Sequence, residues 1–249
     1  RVFGEETMKR LRSTFTLVSL VMSFALVCTL LPAKAWASTA VPSSFTSSST
    51  SITGTIDLSA YTTSSGQEVT RDGKTYYEGN VGGSVEAGDL FAGAYQKYES
   101  TFAGKKDLRG KKYENIVMFS KGQKFPVATY KVTFPSNFVV DSSAISATEN
   151  TNTISKIVPD YDPATNSVTF TMYLGNWNDY KGFFDLYTAE QGTTGHAISI
   201  NIPYSVEVTN TSTQNLGTIT ASGECALYKY GFLAFGTRMV NVTTTPLTF

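Results

Sequence analysis

Two stretches of this chain alternate strictly between apolar and polar residues. The apolar positions of the first are Val168, Phe170, Met172 and Leu174, and those of the second are Ile198, Ile200, Ile202, Tyr204, Val206 and Val208. Successive side chains of a β-strand point to opposite faces of the sheet, so this period of two indicates half-buried strands. The stretch from Ser167 to Val208 therefore predicts two long strands of a β-rich domain.

The segment between these strands follows a different period. Tyr180, Phe183, Phe184 and Tyr187 are spaced at i, i+3, i+4 and i+7, which places them on one face of a helix, and Gly192 is a suitable C-terminal stop. Phe91, Tyr95 and Tyr98 have a similar spacing and predict a short helix within 86–98, with an irregular strand as the alternative.

Turn signals separate many further short β-prone runs. Asp72-Gly73 lies between two such runs and predicts a hairpin, because glycine tolerates positive φ. The polar span 141–153 predicts a long surface loop. Short strands with close turns favour an antiparallel β-sandwich or barrel over a parallel α/β fold, with one or two short helices inserted between strands.

The N-terminus has the pattern of a secretory signal peptide. Basic residues after Met8 precede an apolar run, and Ala35-Trp36-Ala37 supplies the small residues required for cleavage. Residues 1–37 are therefore predicted to be upstream residues plus a signal peptide cleaved after Ala37; a membrane anchor is the alternative. Residues 38–65 are mostly Ser and Thr and predict a flexible leader, within which 52–58 is a candidate peripheral strand. This leaves 66–249 as the β-sandwich domain.

Composition narrows the functional classes. The full chain of 249 residues has 20 basic and 20 acidic residues, and removal of 1–37 makes it mildly acidic, which gives no reason to expect nucleic-acid binding. Contact with a membrane is expected only transiently, during export. Cys225 is the single cysteine after Ala37, so no intramolecular disulfide is expected, a usage typical of Gram-positive exports.

The segment 105–124 is strongly basic. Its charged residues are Lys105, Lys106, Arg109, Lys111, Lys112, Lys121 and Lys124, against Asp107 and Glu114. The simpler interpretation is a solvated loop leading into a strand. The functional one is a patch that meets cell-wall polymers, glycosaminoglycans or an acidic partner surface.

Few side chains are of the types used in catalysis, and the sequence predicts no catalytic residue, cofactor or metal. His196 is the only histidine and Cys225 has the context of a buried apolar side chain, so we expect structural roles for both. Asp160, Asp162, Asp179 and Asp185 are carboxylates that a glycoside hydrolase could use, but turns and helix caps explain them more simply. The segment 160–171 departs from a calcium loop at the sixth and last positions, and a turn is favoured.

Two aromatic residues remain as candidate ligand-binding residues. Tyr173 lies on the polar face of its strand, and Trp177 precedes the helical spacing. Flat rings stack on sugar faces, so this pair predicts a carbohydrate-binding surface, whereas the other aromatics of the segment are expected in the core.

The chain resembles Gram-positive cell-surface adhesins with immunoglobulin-like β-sandwich domains, such as the collagen- and fibrinogen-binding families. The segments that carry the resemblance are 130–135, 166–175 and 198–208 with its Ile202-Pro203-Tyr204, together with the export signal and the Ser/Thr-rich leader. The resemblance implies an immunoglobulin-like sandwich and a surface location. No Leu-Pro-x-Thr-Gly sorting signal follows Thr245, so we expect another anchorage or a longer chain.

The same resemblance implies an intramolecular cross-link. Many such domains join a Lys to an Asn by an isopeptide bond, which would serve a chain with one cysteine. Lys131 is the candidate donor and Asn241 the candidate acceptor; the alternative is two ordinary surface side chains.

Three functions follow, in order of expectation. The first is a non-enzymatic, exported or wall-associated surface domain that binds a host or bacterial surface protein or glycan, or spaces other domains from the wall. The second is a carbohydrate-binding module using Tyr173 and Trp177. The third is an exported hydrolase using carboxylates.

Overall fold

The structure of the protein is a computed structural model, and it describes residues 39–123, 125–175, 179–209, 215–229 and 236–249. The strands, in chain order, are β1 (Ser43–Ser48), β2 (Ser51–Ile56), β3 (Thr62–Arg71), β4 (Lys74–Glu86), β5 (Met118–Phe119), β6 (Val127–Thr133), β7 (Phe138–Val140), β8 (Ser146–Glu149), β9 (Ile154–Asp162), β10 (Ser167–Leu174), β11 (Ala197–Val208), β12 (Thr220–Lys229), β13 (Arg238–Thr244) and β14 (Leu247–Thr248). The helices are α1 (Ala87–Leu90), α2 (Ala92–Thr101) and α3 (Tyr180–Glu190), with 3-10 turns at Tyr113–Asn115 and Ser142–Ala144.

The described strands form two sheets that share one core. The first sheet has the order β1-β2-β13-β12-β6-β10-β9, with β5 and β14 also paired to β12; the second has the order β3-β4-β11-β7, with β8 also paired to β11. Among these strands, only β2 and β13 pair in parallel. The architecture is a mainly antiparallel β-sandwich with short helices between strands, which confirms the fold class predicted from the sequence.

The long alternating strands form the centre of the sandwich. On β11, Ile198, Ile202, Tyr204 and Val206 are buried, and on β10 Val168 and Phe170 have no exposed surface. These side chains meet in the core between the two sheets. The apolar positions of the period-two pattern therefore correspond to residues on the inner faces of the two sheets.

The two helices predicted from aromatic spacing pack on each other and on the first sheet. Tyr98 of α2 stacks on Phe184 of α3 with ring centroids 4.7 Å apart. These aromatics form a second cluster with Ile52 of β2, Leu227 of β12 and Met239 of β13. The helices thus cover the β2, β13 and β12 part of the first sheet.

The prediction of a flexible leader at 38–65 is wrong. β1, β2 and the start of β3 lie within it, and Val41 and Ile52 are each only 2% exposed. The segment 38–65 has few apolar residues, but residues 52–56 of β2 pair in parallel with β13, and Ile52 is buried in the cluster that contains the helices. The signal peptide and its cleavage after Ala37 lie outside the described residues and stay a prediction.

The β3–β4 turn has the conformation predicted from the sequence, whereas the span 141–153 does not form the predicted surface loop. Asp72 and Gly73 both have positive φ, 51° and 74°, and they close the β3–β4 hairpin. The span predicted as a surface loop instead contains β8, and its residues Thr151 and Thr153 are buried.

Candidate functional site

Of the two aromatic residues predicted to bind carbohydrate, Tyr173 is among the described residues. Tyr173 is partly exposed on β10, opposite Val127 of β6 and Lys156 of β9. Trp177 lies outside the described residues. A carbohydrate-binding role for this pair stays a prediction.

The candidate cross-link residues Lys131 and Asn241 are not brought together. Lys131 is opposite Ser222 of β12, and Asn241 is opposite Ala226 of the same strand, so β12 separates them. This register places them about 10 Å apart across the sheet and about 14 Å apart along it. Lys131 is exposed, and the amide oxygen of Asn241 accepts a hydrogen bond from Arg238 at 3.1 Å. The structure therefore supports the alternative of two ordinary surface side chains.

The single histidine lies beside a buried carboxylate. Glu190, at the end of α3, is 3% exposed and accepts hydrogen bonds from the Thr151 hydroxyl and, at 2.7 Å, from the Asn152 amide. His196 Nδ1 is 3.5 Å from Glu190 Oε1 and 3.2 Å from the Asn150 carbonyl oxygen. This network, which we missed from the sequence, joins the end of α3 to the segment before β9. The Thr-x-Thr pattern at 151–153 was its only local signal.

Three of the four candidate aspartates have local contacts at turns or on α3, and the fourth, Asp160, is exposed on β9. Asp162 accepts hydrogen bonds from Thr165 and Ala164, which lower the pKa of its carboxyl. Asp179 caps α3 by accepting from the Gly182 amide at 2.7 Å, and Asp185 pairs with Lys181 at 2.5 Å. Within the described ranges, no group of three or more His, Cys, Asp or Glu side chains is arranged to hold a metal ion.

An apolar cavity of ≈ 210 Å³ lies between the inner faces of the two sheets. Its walls come from both sheets and from α2 and α3, and include Ala128, Cys225, Ile200 and Phe184.

Cys225 borders this cavity and is not activated for chemistry. Burial, with a smaller effect of Glu224, raises the pKa of its thiol to about 12. The thiol therefore stays protonated at neutral pH and cannot act as a thiolate nucleophile. Its expected role as an apolar side chain fits this position.

A small hairpin at 104–113 carries most of the basic segment. Lys106 and Lys112 are opposite each other in an isolated bridge, and the amide of Tyr113 donates to the Lys105 carbonyl at 3.1 Å. At its tip, Asp107 Oδ1 accepts from the amides of Arg109 at 2.9 Å and Lys111 at 2.8 Å. The hydrogen bonds of Asp107 hold the tip in one conformation, and Leu108 at its end is fully exposed.

A buried carboxylate fastens this basic hairpin to the helices. Glu114 is 5% exposed and accepts from the Gly104 amide at 2.8 Å and from the Tyr98 hydroxyl at 3.3 Å. The Gly104 hydrogen bond is the main reason that the pKa of Glu114 is lowered, and Lys112 at 3.4 Å adds to it. The base of the hairpin is thus fixed to α2.

Among the described residues, no ion pair involves Lys106, Arg109 or Lys111. Two lysines directly opposite each other destabilise a strand pair, and an exposed leucine gains nothing from the fold. The cations and the leucine at the tip therefore do not serve the stability of the hairpin.

Among the described residues, no helix has the length and apolar character needed to cross a membrane.

Comparison with known proteins gives distant structural neighbours. No protein-family model and no curated protein matches the sequence. A collagen-binding domain from a Staphylococcus aureus adhesin is 11% identical, with a TM-score of 0.28, and the match covers 74% of this chain and 96% of that one. The collagen-binding subdomain of the Enterococcus faecalis surface protein ACE is 9% identical, with a TM-score of 0.26 and coverages of 74% and 94%.

Domains D2 and D3 of the major pilin SpaD from Corynebacterium diphtheriae are 11% identical, with a TM-score of 0.29, and the match covers 75% of this chain and 51% of that one. The neighbours are thus surface adhesins and pilins of Gram-positive bacteria, the class that the sequence resembles. At TM-scores this low the likeness carries no argument about ligand or activity. The fold class rests on the two sheets of the chain itself.

Proposed function

We propose that this chain is an exported surface protein whose β-sandwich is a non-enzymatic, adhesive binding domain. In this proposal the hairpin 104–113 contacts an anionic polymer at the cell surface or on a host. The observation that carries it is a hydrogen-bonded hairpin on which Lys106, Arg109 and Lys111 have no carboxylate partner among the described residues. Export by the signal peptide predicted at residues 1–37 belongs to the same proposal.

The arrangement of charge supports an anionic partner. The chain after Ala37 is mildly acidic, yet Lys105, Lys106, Arg109, Lys111 and Lys112 are concentrated on one hairpin. A polyanion would relieve the repulsion between Lys106 and Lys112, so binding and hairpin geometry reinforce each other. Because the Asp107 turn and the Glu114 contacts fix the hairpin before binding, little conformational entropy is lost on association.

The surroundings of the candidate catalytic residues support a binding role over hydrolysis. His196 and Glu190 belong to one structural network, and the Cys225 thiol has a raised pKa. Asp162 and Asp179 accept hydrogen bonds from neighbouring backbone amides. Each of these groups already has a local role that does not require a substrate.

Retention on immobilised heparin or polyphosphate tests the proposal. Each cation near an anionic surface contributes about 1 kcal/mol, so Lys106→Gln with Lys111→Gln should weaken binding about 30-fold at low salt. Binding of the unmodified chain should fall as salt rises, because screening weakens exposed charges.

The matched control is Lys131→Gln with Lys156→Gln. It removes the same net charge from exposed positions on the first sheet, away from the hairpin. Equal losses in both double variants would show that net charge alone attracts the polymer, and the hairpin would then have no specific role. Binding of uncharged glycans that is lost in Tyr173→Ala would instead favour the carbohydrate-binding module.

A further inference from the structure

Three inward-facing residues of the sandwich keep accessible surface although their neighbours on the same strands are buried. Ile200 is partly exposed, although Ile198 and Ile202, its neighbours on the same face of β11, are 5% and 0% exposed. Ala128 and Cys225 are also partly exposed, although their strands pack against the second sheet. All three line the ≈ 210 Å³ cavity, so their accessible surface faces a void inside the domain.

The chemistry of the walls excludes most occupants. A buried water needs two to four polar partners, and an ion needs more, whereas the cavity wall is almost entirely apolar. Apolar cavities of about 150 Å³ are known to stay dry and to admit benzene or xenon. A void of ≈ 210 Å³ has room for a slightly larger molecule of the same kind.

A pair of buried hydroxyl groups belongs to residues that line the cavity. The hydroxyl oxygens of Thr62 and Tyr130 are 3.4 Å apart, at the long limit of a hydrogen bond. The two residues are 7% and 4% exposed. A hydroxyl group on a bound molecule could make shorter hydrogen bonds to this pair than the two residues make to each other.

We propose that the cavity binds a small, uncharged, hydrophobic molecule of about the size of a substituted benzene. An apolar ring would fill the space between the sheets and bury the apolar surface that lines it. A single hydroxyl on the ring would be directed towards Thr62 and Tyr130. This site is independent of the basic hairpin and of the function proposed for it.

The test uses toluene and p-cresol as probes with the full chain. Each probe should raise the thermal unfolding midpoint, because a ligand that binds only the folded state stabilises it. Saturation-transfer NMR should show direct contact of both probes with the protein. p-Cresol should bind more tightly than toluene, and Thr62→Val should remove that preference.

Two variants fill the cavity from different strands. Ala128→Leu on β6 and Cys225→Leu on β12 should each abolish the midpoint shift and the NMR signal, and the second keeps the test decisive if the first does not fold. Ser222→Leu is the matched control, because Ser222 is exposed on the outer face of the strand that carries Cys225, and it should bind both probes normally. Absence of binding to the unmodified chain, or undiminished binding to both filled variants, would overturn the proposal.

Discussion

Glu190 shows how this sandwich keeps a carboxylate in its interior. It lies in the last turn of α3, where the helix dipole disfavours negative charge, and it is 3% exposed. The Thr151 hydroxyl and the Asn152 amide donate to it, and His196 Nδ1 lies 3.5 Å away. Removing the carboxylate would leave buried donors without an acceptor, which costs more than the hydrogen bonds contribute.

Glu190→Ala should therefore lower the free energy of unfolding by about 2–3 kcal/mol. Glu190→Gln keeps one acceptor oxygen and should cost less. The control is Glu68→Ala on the exposed side of β3, which should change stability by less than about 0.5 kcal/mol. Urea unfolding measures all three, and equal stabilities for the Glu190→Ala and Glu68→Ala variants would contradict this account of the network.

At the scale of the elements, local patterns predicted local structure well. The alternation at 198–208 predicted β11, and the spacing of Tyr180, Phe184 and Tyr187 predicted α3, whose Gly182 is accommodated because its amide donates to Asp179. These patterns depend on neighbours in sequence, which is why they can be recognised without a fold.

Contacts between distant segments could not be predicted in the same way. The family resemblance implied a cross-link between Lys131 and Asn241, but β12 lies between β6 and β13. The void around Cys225 depends on residues from five or more elements, and no single stretch of sequence indicates it. The charges of the basic segment were evident, whereas their arrangement on a hairpin required the bridge between Lys106 and Lys112.

The attachment of this hairpin should depend on pH through Glu114. Its folded-state pKa is lowered below the ordinary 4.5, mainly by the Gly104 hydrogen bond. A lowered folded pKa gives stability that is present above the unfolded pKa and is lost as pH falls through the folded one. Glu114→Gln should therefore cost about 1–2 kcal/mol at pH 7, and this difference should shrink steadily below pH 4.5.

Urea midpoints between pH 7 and pH 3 measure this difference, with Glu68→Gln as the exposed control. The control should follow the unmodified chain at every pH, because its carboxyl is on the solvent side of β3. A Glu114 difference that stays constant across the range would show that the carboxylate charge does not fasten the hairpin.

At the scale of the whole molecule, the N-terminal strands β1 and β2 form one edge of the first sheet. β2 pairs in parallel with β13, and β1 pairs with β2 at the edge of the sheet. α2 and α3 cover this part of the sheet, since Tyr98 and Tyr187 pack in the same cluster as Ile52. Ser/Thr-rich sequence becomes ordered here because its partners supply the apolar surface that it lacks.

This arrangement predicts a large cost for a small change in the Ser/Thr-rich segment. Ile52→Ala should lower the free energy of unfolding by about 2–4 kcal/mol, because Ile52 is 2% exposed and the surrounding cluster cannot close over the void. Thr53→Ala, at the adjacent exposed position of β2, should change it by less than about 0.5 kcal/mol. If the segment were a flexible leader, both substitutions would be neutral in urea unfolding. A near-zero effect of Ile52→Ala would therefore show that β1 and β2 are not part of the cooperatively folded domain. A large effect restricted to Ile52 would instead place the start of the cooperative unit before β3.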